Sequence, residues 1–146
     1  MCAKKNFKTV SGNMGKTNTF FIYLLVAFIF FSLASLSAAD DLSLADTLIN
    51  EAGSLLVEEK YDDAAEKAAK ALDIRNSLLA KNHPDLARSY YLYSWILYSK
   101  GDYSIAESNA KRAWGIREKA FGKDHLEVAE SLTLLGRIAL STARYN

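Results

Sequence analysis

Between residues 85 and 100 the apolar positions Leu86, Ala87, Tyr90, Tyr93 and Leu97 return at steps of three and four, the period of a helix with one covered face. Gly101-Asp102 interrupts that period. A second one runs from Tyr103 to Phe121 through Ala106, Ala110, Ala113 and Ile116, and Gly122 stops it. Upstream, the pattern predicts a helix from Ser43 to Glu59, a turn at Lys60 and a helix from Tyr61 to Ala80; downstream it predicts a helix from His125 to Arg144. The expected architecture is all-α, built of antiparallel helical hairpins with short connections.

The hairpins share their residues. Tyr61, Ala64, Ala68, Ala71, Ile74, Arg75, Lys81, His83, Ala87 and Ser89 recur 42 positions later as Tyr103, Ala106, Ala110, Ala113, Ile116, Arg117, Lys123, His125, Ala129 and Ser131. A unit repeated at such a period buries its apolar face only against the next copy, so the hairpins should stack. The alanines line one stripe of their helix, where the missing side chains let a neighbouring axis come close. Each connection between hairpins carries helix-start chemistry: Asn82 or His83 ahead of Pro84, and Asp124 with Glu127 at capping-box spacing.

The stretches Ala71 to Ala87, Gly101 to Glu107 and Ile116 to Ala129 resemble the tetratricopeptide repeats of the kinesin-light-chain kind, and the likeness covers roughly residues 45 to 144. The resemblance implies a right-handed solenoid whose first helices line a concave peptide-binding groove, with scaffold or adaptor work and no catalytic chemistry. In that family an asparagine that holds a peptide backbone often stands where this chain has Leu92 and Leu134; by the 42-residue offset only Asn50 keeps the amide. An apolar or aromatic contact is then the expected replacement.

The helical period itself puts Arg88, Tyr91, Leu92 and Trp95 on a face opposite or beside the apolar stripe, with Glu130, Thr133, Leu134 and Arg137 as their counterparts. Tyr91 and Trp95, four residues apart, read either as an aromatic anchor for a partner or as packing against the next repeat. The candidate groove is therefore Asn50, Arg88, Tyr91, Leu92, Trp95, Thr133, Leu134 and Arg137. A second candidate surface is the stripe Val128, Leu132, Leu135 and Leu140, expected to be exposed. Tyr145 occupies the register of Tyr61 and Tyr103, so the last repeat reads as incomplete, and the stripe is expected to meet a second copy or a partner, or to mark a remnant of a longer array.

Charge separates the first 39 residues from the rest. They hold Lys4, Lys5, Lys8 and Lys16 and no acid, then the apolar run Phe20 to Leu36, then Ser37-Ala38-Ala39. Basic, apolar and small in that order is the layout of a secretory signal peptide cleaved after Ala39 or Ala38. An uncleaved anchor is the alternative, because Thr17 to Ala39 carries no charge and about 20 apolar residues span a bilayer. Either way the repeats are expected outside the cytoplasm, secreted or periplasmic or held there as a single-pass protein. Met14-Gly15-Lys16 offers a second start for a shorter leader.

Without the leader, 14 basic residues face 17 acidic ones, a net of −3 that gives no basic field for nucleic acid. Cys2 is the one cysteine, so disulfides and thiol chemistry are not expected beyond the leader. His83 and His125 hold equivalent repeat positions, which stacking keeps too far apart to share one metal ion, and no serine or threonine has a base fixed beside it. The expectation is no catalytic, cofactor or metal site. The leading function is an exported scaffold or adaptor for a protein or peptide partner; an anchored structural subunit without a groove comes second, and an enzyme accessory a distant third.

Overall fold

The computed structural model describes the backbone of residues 14–145 and the side chains of residues 21–29 and 37–144. Cys2, Lys4, Lys5 and Lys8 lie outside the described residues. The chain divides into two compact units, Met1–Ala38 and Ala39–Asn146. The described residues form five helices: α1 Met14–Val57, α2 Tyr61–Leu78, α3 Pro84–Lys100, α4 Tyr103–Phe121 and α5 Leu126–Tyr145. No strand occurs among the described residues.

The periodicity places these helices to within a few residues, except at the start of α1, which reaches back to Met14 rather than beginning at Ser43. No proline stands between Met14 and Val57, and the apolar leader run passes through Ala38-Ala39 into the first repeat without a residue that breaks a helix. The described apolar side chains from Phe21 to Ile29 are exposed. Among the described residues, no helix is long and apolar enough to cross a membrane.

The second unit is held together around α3. Leu86, Ala87 and Tyr90 pack with Leu72, Ala113 and Ile116, tying α3 to α2 and α4. Ile96 packs with Ala52, Ala64 and Ala68, and Leu97 packs with Ala106, Ala110, Leu134 and Ile138. Both alanine stripes, Ala64-Ala68-Ala71 and Ala106-Ala110-Ala113, have no exposed surface, as close approach of helix axes requires.

The two hairpin turns are superimposable in their bonding. Glu59 N–H donates to Leu56 O and Lys60 N–H to Leu55 O; 42 positions on, Gly101 N–H donates to Tyr98 O and Asp102 N–H to Leu97 O. Each turn contains one residue with positive φ, 96° at Gly101 and 60° at Glu59. The helix starts also match. His83 Nδ1 accepts from Asp85 N–H at 3.2 Å and His125 Nδ1 accepts from Glu127 N–H at 3.3 Å. Imidazole thus takes an orphan donor at both helix starts, where the spacing at α5 points to Asp124.

One arginine joins each second helix to the start of the next hairpin, Arg75 from α2 and Arg117 from α4. Arg75 and Arg117 are 2% and 4% exposed. Arg75 donates to Asp85 O at 3.1 Å and Ser89 Oγ at 2.6 Å; Arg117 donates to Glu127 O at 2.8 Å and Ser131 Oγ at 3.0 Å. Each serine passes its own proton to the same carbonyl four residues back.

Two expectations for α5 are corrected. Val128 is 1% exposed and Leu134 fully buried, so neither is available to a partner. Val128, Ser131, Leu134 and Ile138 form one buried stripe at helical spacing, and that stripe faces α3 and α4. Leu135 is half-buried against the same core, which leaves Leu132 and Leu140 as the exposed members of the C-terminal stripe.

Candidate functional site

The first helices of the hairpins, α1, α3 and α5, border a concave space of about 600 Å³. Asn50 enters from α1, Arg88, Tyr91 and Leu92 from α3, and Glu127 and Glu130 from α5, while Arg117 and Phe121 close one end from α4. A smaller space of about 240 Å³ between α3 and α5 shares Tyr91, Leu126 and Glu130 with it and adds Trp95, Thr133 and Arg137. The two form one continuous trough. Of the groove residues expected from sequence, Asn50, Arg88, Tyr91, Leu92, Trp95, Thr133 and Arg137 line it. Leu134 lies beneath it in the core.

Two rings of the trough, Tyr91 and Trp95, begin a row that continues outside it to Tyr98 and Tyr103. The Tyr91 and Trp95 rings lie 6.5 Å apart, Trp95 and Tyr98 5.9 Å, and Tyr98 and Tyr103 5.8 Å, all tilted. Tyr91 and Trp95 are half-buried, and both pack on the core cluster shared by α3, α4 and α5. Each ring therefore supports the core and also lines the trough. Guanidinium groups cover the rings, Arg117 at 4.4 Å from the Tyr91 centroid and Arg137 at 5.3 Å from that of Trp95. Burial, with Glu130 in support, pushes the Tyr91 hydroxyl above its usual range, and Arg117 and Arg137 oppose that shift.

Charge in the trough follows from one position of the repeat, occupied in turn by Asp46, Arg88 and Glu130 at 42-residue intervals. Arg75 reaches the Asp46 carboxylate on the preceding first helix. Arg117 finds Arg88 at the equivalent place, which has the wrong sign, and turns forward to Glu127 at 3.2 Å and Glu130 at 3.6 Å. The Glu127 contact is one of charge rather than an aligned hydrogen bond, since Arg117 Nε has no hydrogen-bond partner. Arg88, exposed, makes no ion pair among the described residues and stands as a free cation at the trough wall.

Sequence reasoning missed Arg117, Glu127 and Phe121 as lining residues, because they come from helix ends rather than from the exposed face of a first helix. Their signal was present in the repeat itself: Arg117 recurs from Arg75, each directly after a recurring isoleucine, and a charged residue that the repeat keeps beside an apolar one marks a structural role. No group of three or more His, Cys, Asp or Glu side chains able to hold a metal ion occurs among the described residues.

Stacked antiparallel hairpins whose first helices share an open trough define a helical-repeat protein. Residues 43–119 match the tetratricopeptide repeat model, and the chain belongs to that family. Such repeats generally mediate protein–protein interaction. A comparison with curated proteins finds no match.

Proposed function

We propose that this chain is an exported adaptor of the 42-residue, kinesin-light-chain type of repeat, and that it holds an extended segment of a protein partner in the trough between α1, α3 and α5. The observation that carries the reading is the convergence of Asn50, Arg88, Tyr91, Trp95, Thr133 and Arg137, from three helices, on one open surface. Half-buried rings in the middle and mixed charges at the edge are the composition of a binding surface with an anchoring centre and a polar rim. Asn50 supplies both an amide donor and an acceptor for a peptide backbone.

Export is supported by the order of lysines, apolar run and small residues, and it is tested separately. A tagged full chain is expected in the extracytoplasmic fraction, with its repeats open to added protease. Retention inside the cell would end that part of the proposal.

Groove binding is tested by selecting from a random peptide display library on the full chain. Peptides whose binding drops at least tenfold with Asn50→Ala and Arg88→Ala, at unchanged melting temperature, support the trough; both side chains are exposed, so folding should not suffer. Peptides indifferent to both substitutions would favour the structural-subunit reading.

A further inference from the structure

A second cavity, of about 450 Å³, opens between α2, α4 and the loop after α2. None of its lining residues lines the trough. Lys81, Lys111, Arg112 and Lys119 surround it, and no carboxylate lines it. Lys111 pairs with Glu107 at 2.6 Å, whereas Lys81, Arg112 and Lys119 have no ion pair among the described residues. In a body with excess negative charge, three unpaired cations around one hollow are not dictated by solubility.

The wall is preorganised. Tyr90, buried, donates its hydroxyl proton to Asn76 Oδ1 at 3.0 Å and accepts from Arg112 Nη1 at 3.0 Å. The guanidinium is also 5.5 Å from the Tyr90 ring centroid, so it is held on two sides while Nη2 and Nε keep their hydrogens unused. Fixing Asn76 Oδ1 as an acceptor leaves its amide hydrogens free as well. Gly115 lines the floor, and nothing lies within 4 Å of where its Cβ would stand, so the missing side chain leaves the hollow open.

Lys81 recurs in the repeat as Lys123, but the rest of the wall does not follow from the repeat. In α2, the positions of Lys111, Arg112, Gly115 and Lys119 are Ala69, Lys70, Asp73 and Ser77; one repeat later, Tyr90 and Asn76 become Leu132 and Glu118. Cations, tyrosine relay and open floor coincide at this one seam.

We propose that the cavity binds a small, soluble, multiply charged phosphate compound, held by the Arg112 fork and by Lys81 and Lys119. Arginine's paired N–H groups match phosphate oxygens, and the volume falls within the roughly 300–1,000 Å³ of small-ligand sites.

Isothermal titration of the full chain with sodium pyrophosphate and with inositol hexakisphosphate tests this. The expected result is saturable one-to-one binding that weakens as salt is raised, falls at least tenfold in Arg112→Gln and in Lys119→Gln, and is unchanged in Lys67→Gln, which lies outside the cavity. Lys119 is exposed, so its variant remains informative if Arg112→Gln destabilises the fold. Absence of saturation, or equal affinity of the Lys119→Gln and Lys67→Gln variants, would overturn the proposal. So would Lys119-dependent binding to vesicles containing phosphatidylinositol bisphosphate without binding of either free anion, which would move the site to a membrane surface.

Discussion

At the scale of single residues, the buried arginines decide most. A fully buried guanidinium is costly unless its donors are met, and Arg75 meets them with a carbonyl, a hydroxyl and the Asp46 carboxylate. Replacing Arg75 by Met keeps the apolar stem but leaves the Asp85 carbonyl with Ser89 alone and frees an exposed aspartate. We expect a loss of about 2 kcal/mol, read from urea unfolding, and about 1 kcal/mol for Ser89→Ala, where the guanidinium keeps its other acceptors. No measurable loss in Arg75→Met would mean that the arginine acts by packing alone. None of this was legible from periodicity: arginine reads by default as a surface residue, and only its exact recurrence as Arg117 hints otherwise.

Among the elements, the hairpin turns offer the sharpest comparison. Glu59 and Gly101 hold the same register and the same hydrogen bonds, yet only glycine adopts a positive φ without steric cost. Glu59→Gly is therefore expected to stabilise the domain by about 1 kcal/mol and Gly101→Ala to destabilise it by about the same, measured as opposite shifts in melting temperature. Shifts of the same sign would show that the turn is set by tertiary contacts instead. Helix ends were readable because Gly101, Gly122 and Pro84 punctuate the pattern with definite backbone preferences. The start of α1 was not, since no such residue stands between the leader run and the first repeat. The faces of α5 were half readable: a stripe at steps of three and four is plain, but a helix turns 100° per residue, and whether Leu134 falls under the trough or into it depends on which neighbour the helix packs against.

For the repeat unit as a whole, the central position of α3 sets the cooperativity. Its residues enter every buried cluster, with Leu92 and Ile96 reaching back to α1 and α2 while Leu97 reaches forward to α4 and α5. Ile96→Ala is expected to cost about 3 kcal/mol and to lower the stability of both hairpins together, so that fluorescence and circular dichroism report a single transition. Separate transitions would mean that the hairpins unfold independently. Stacking was foreseeable from the repeat, because identical apolar faces must cover one another; the identity of the pin between successive hairpins was not. That pin has a mechanical side. Each guanidinium ties the tail of one coil to the opening turn of the following one through short, directional bonds, whereas greasy side chains slide past each other at little cost. Neighbouring units should therefore resist sliding past one another more than bending, so the register of the surface offered to a guest stays nearly constant while its curvature can adapt, and a stretched molecule should yield in discrete steps, one for each arginine released.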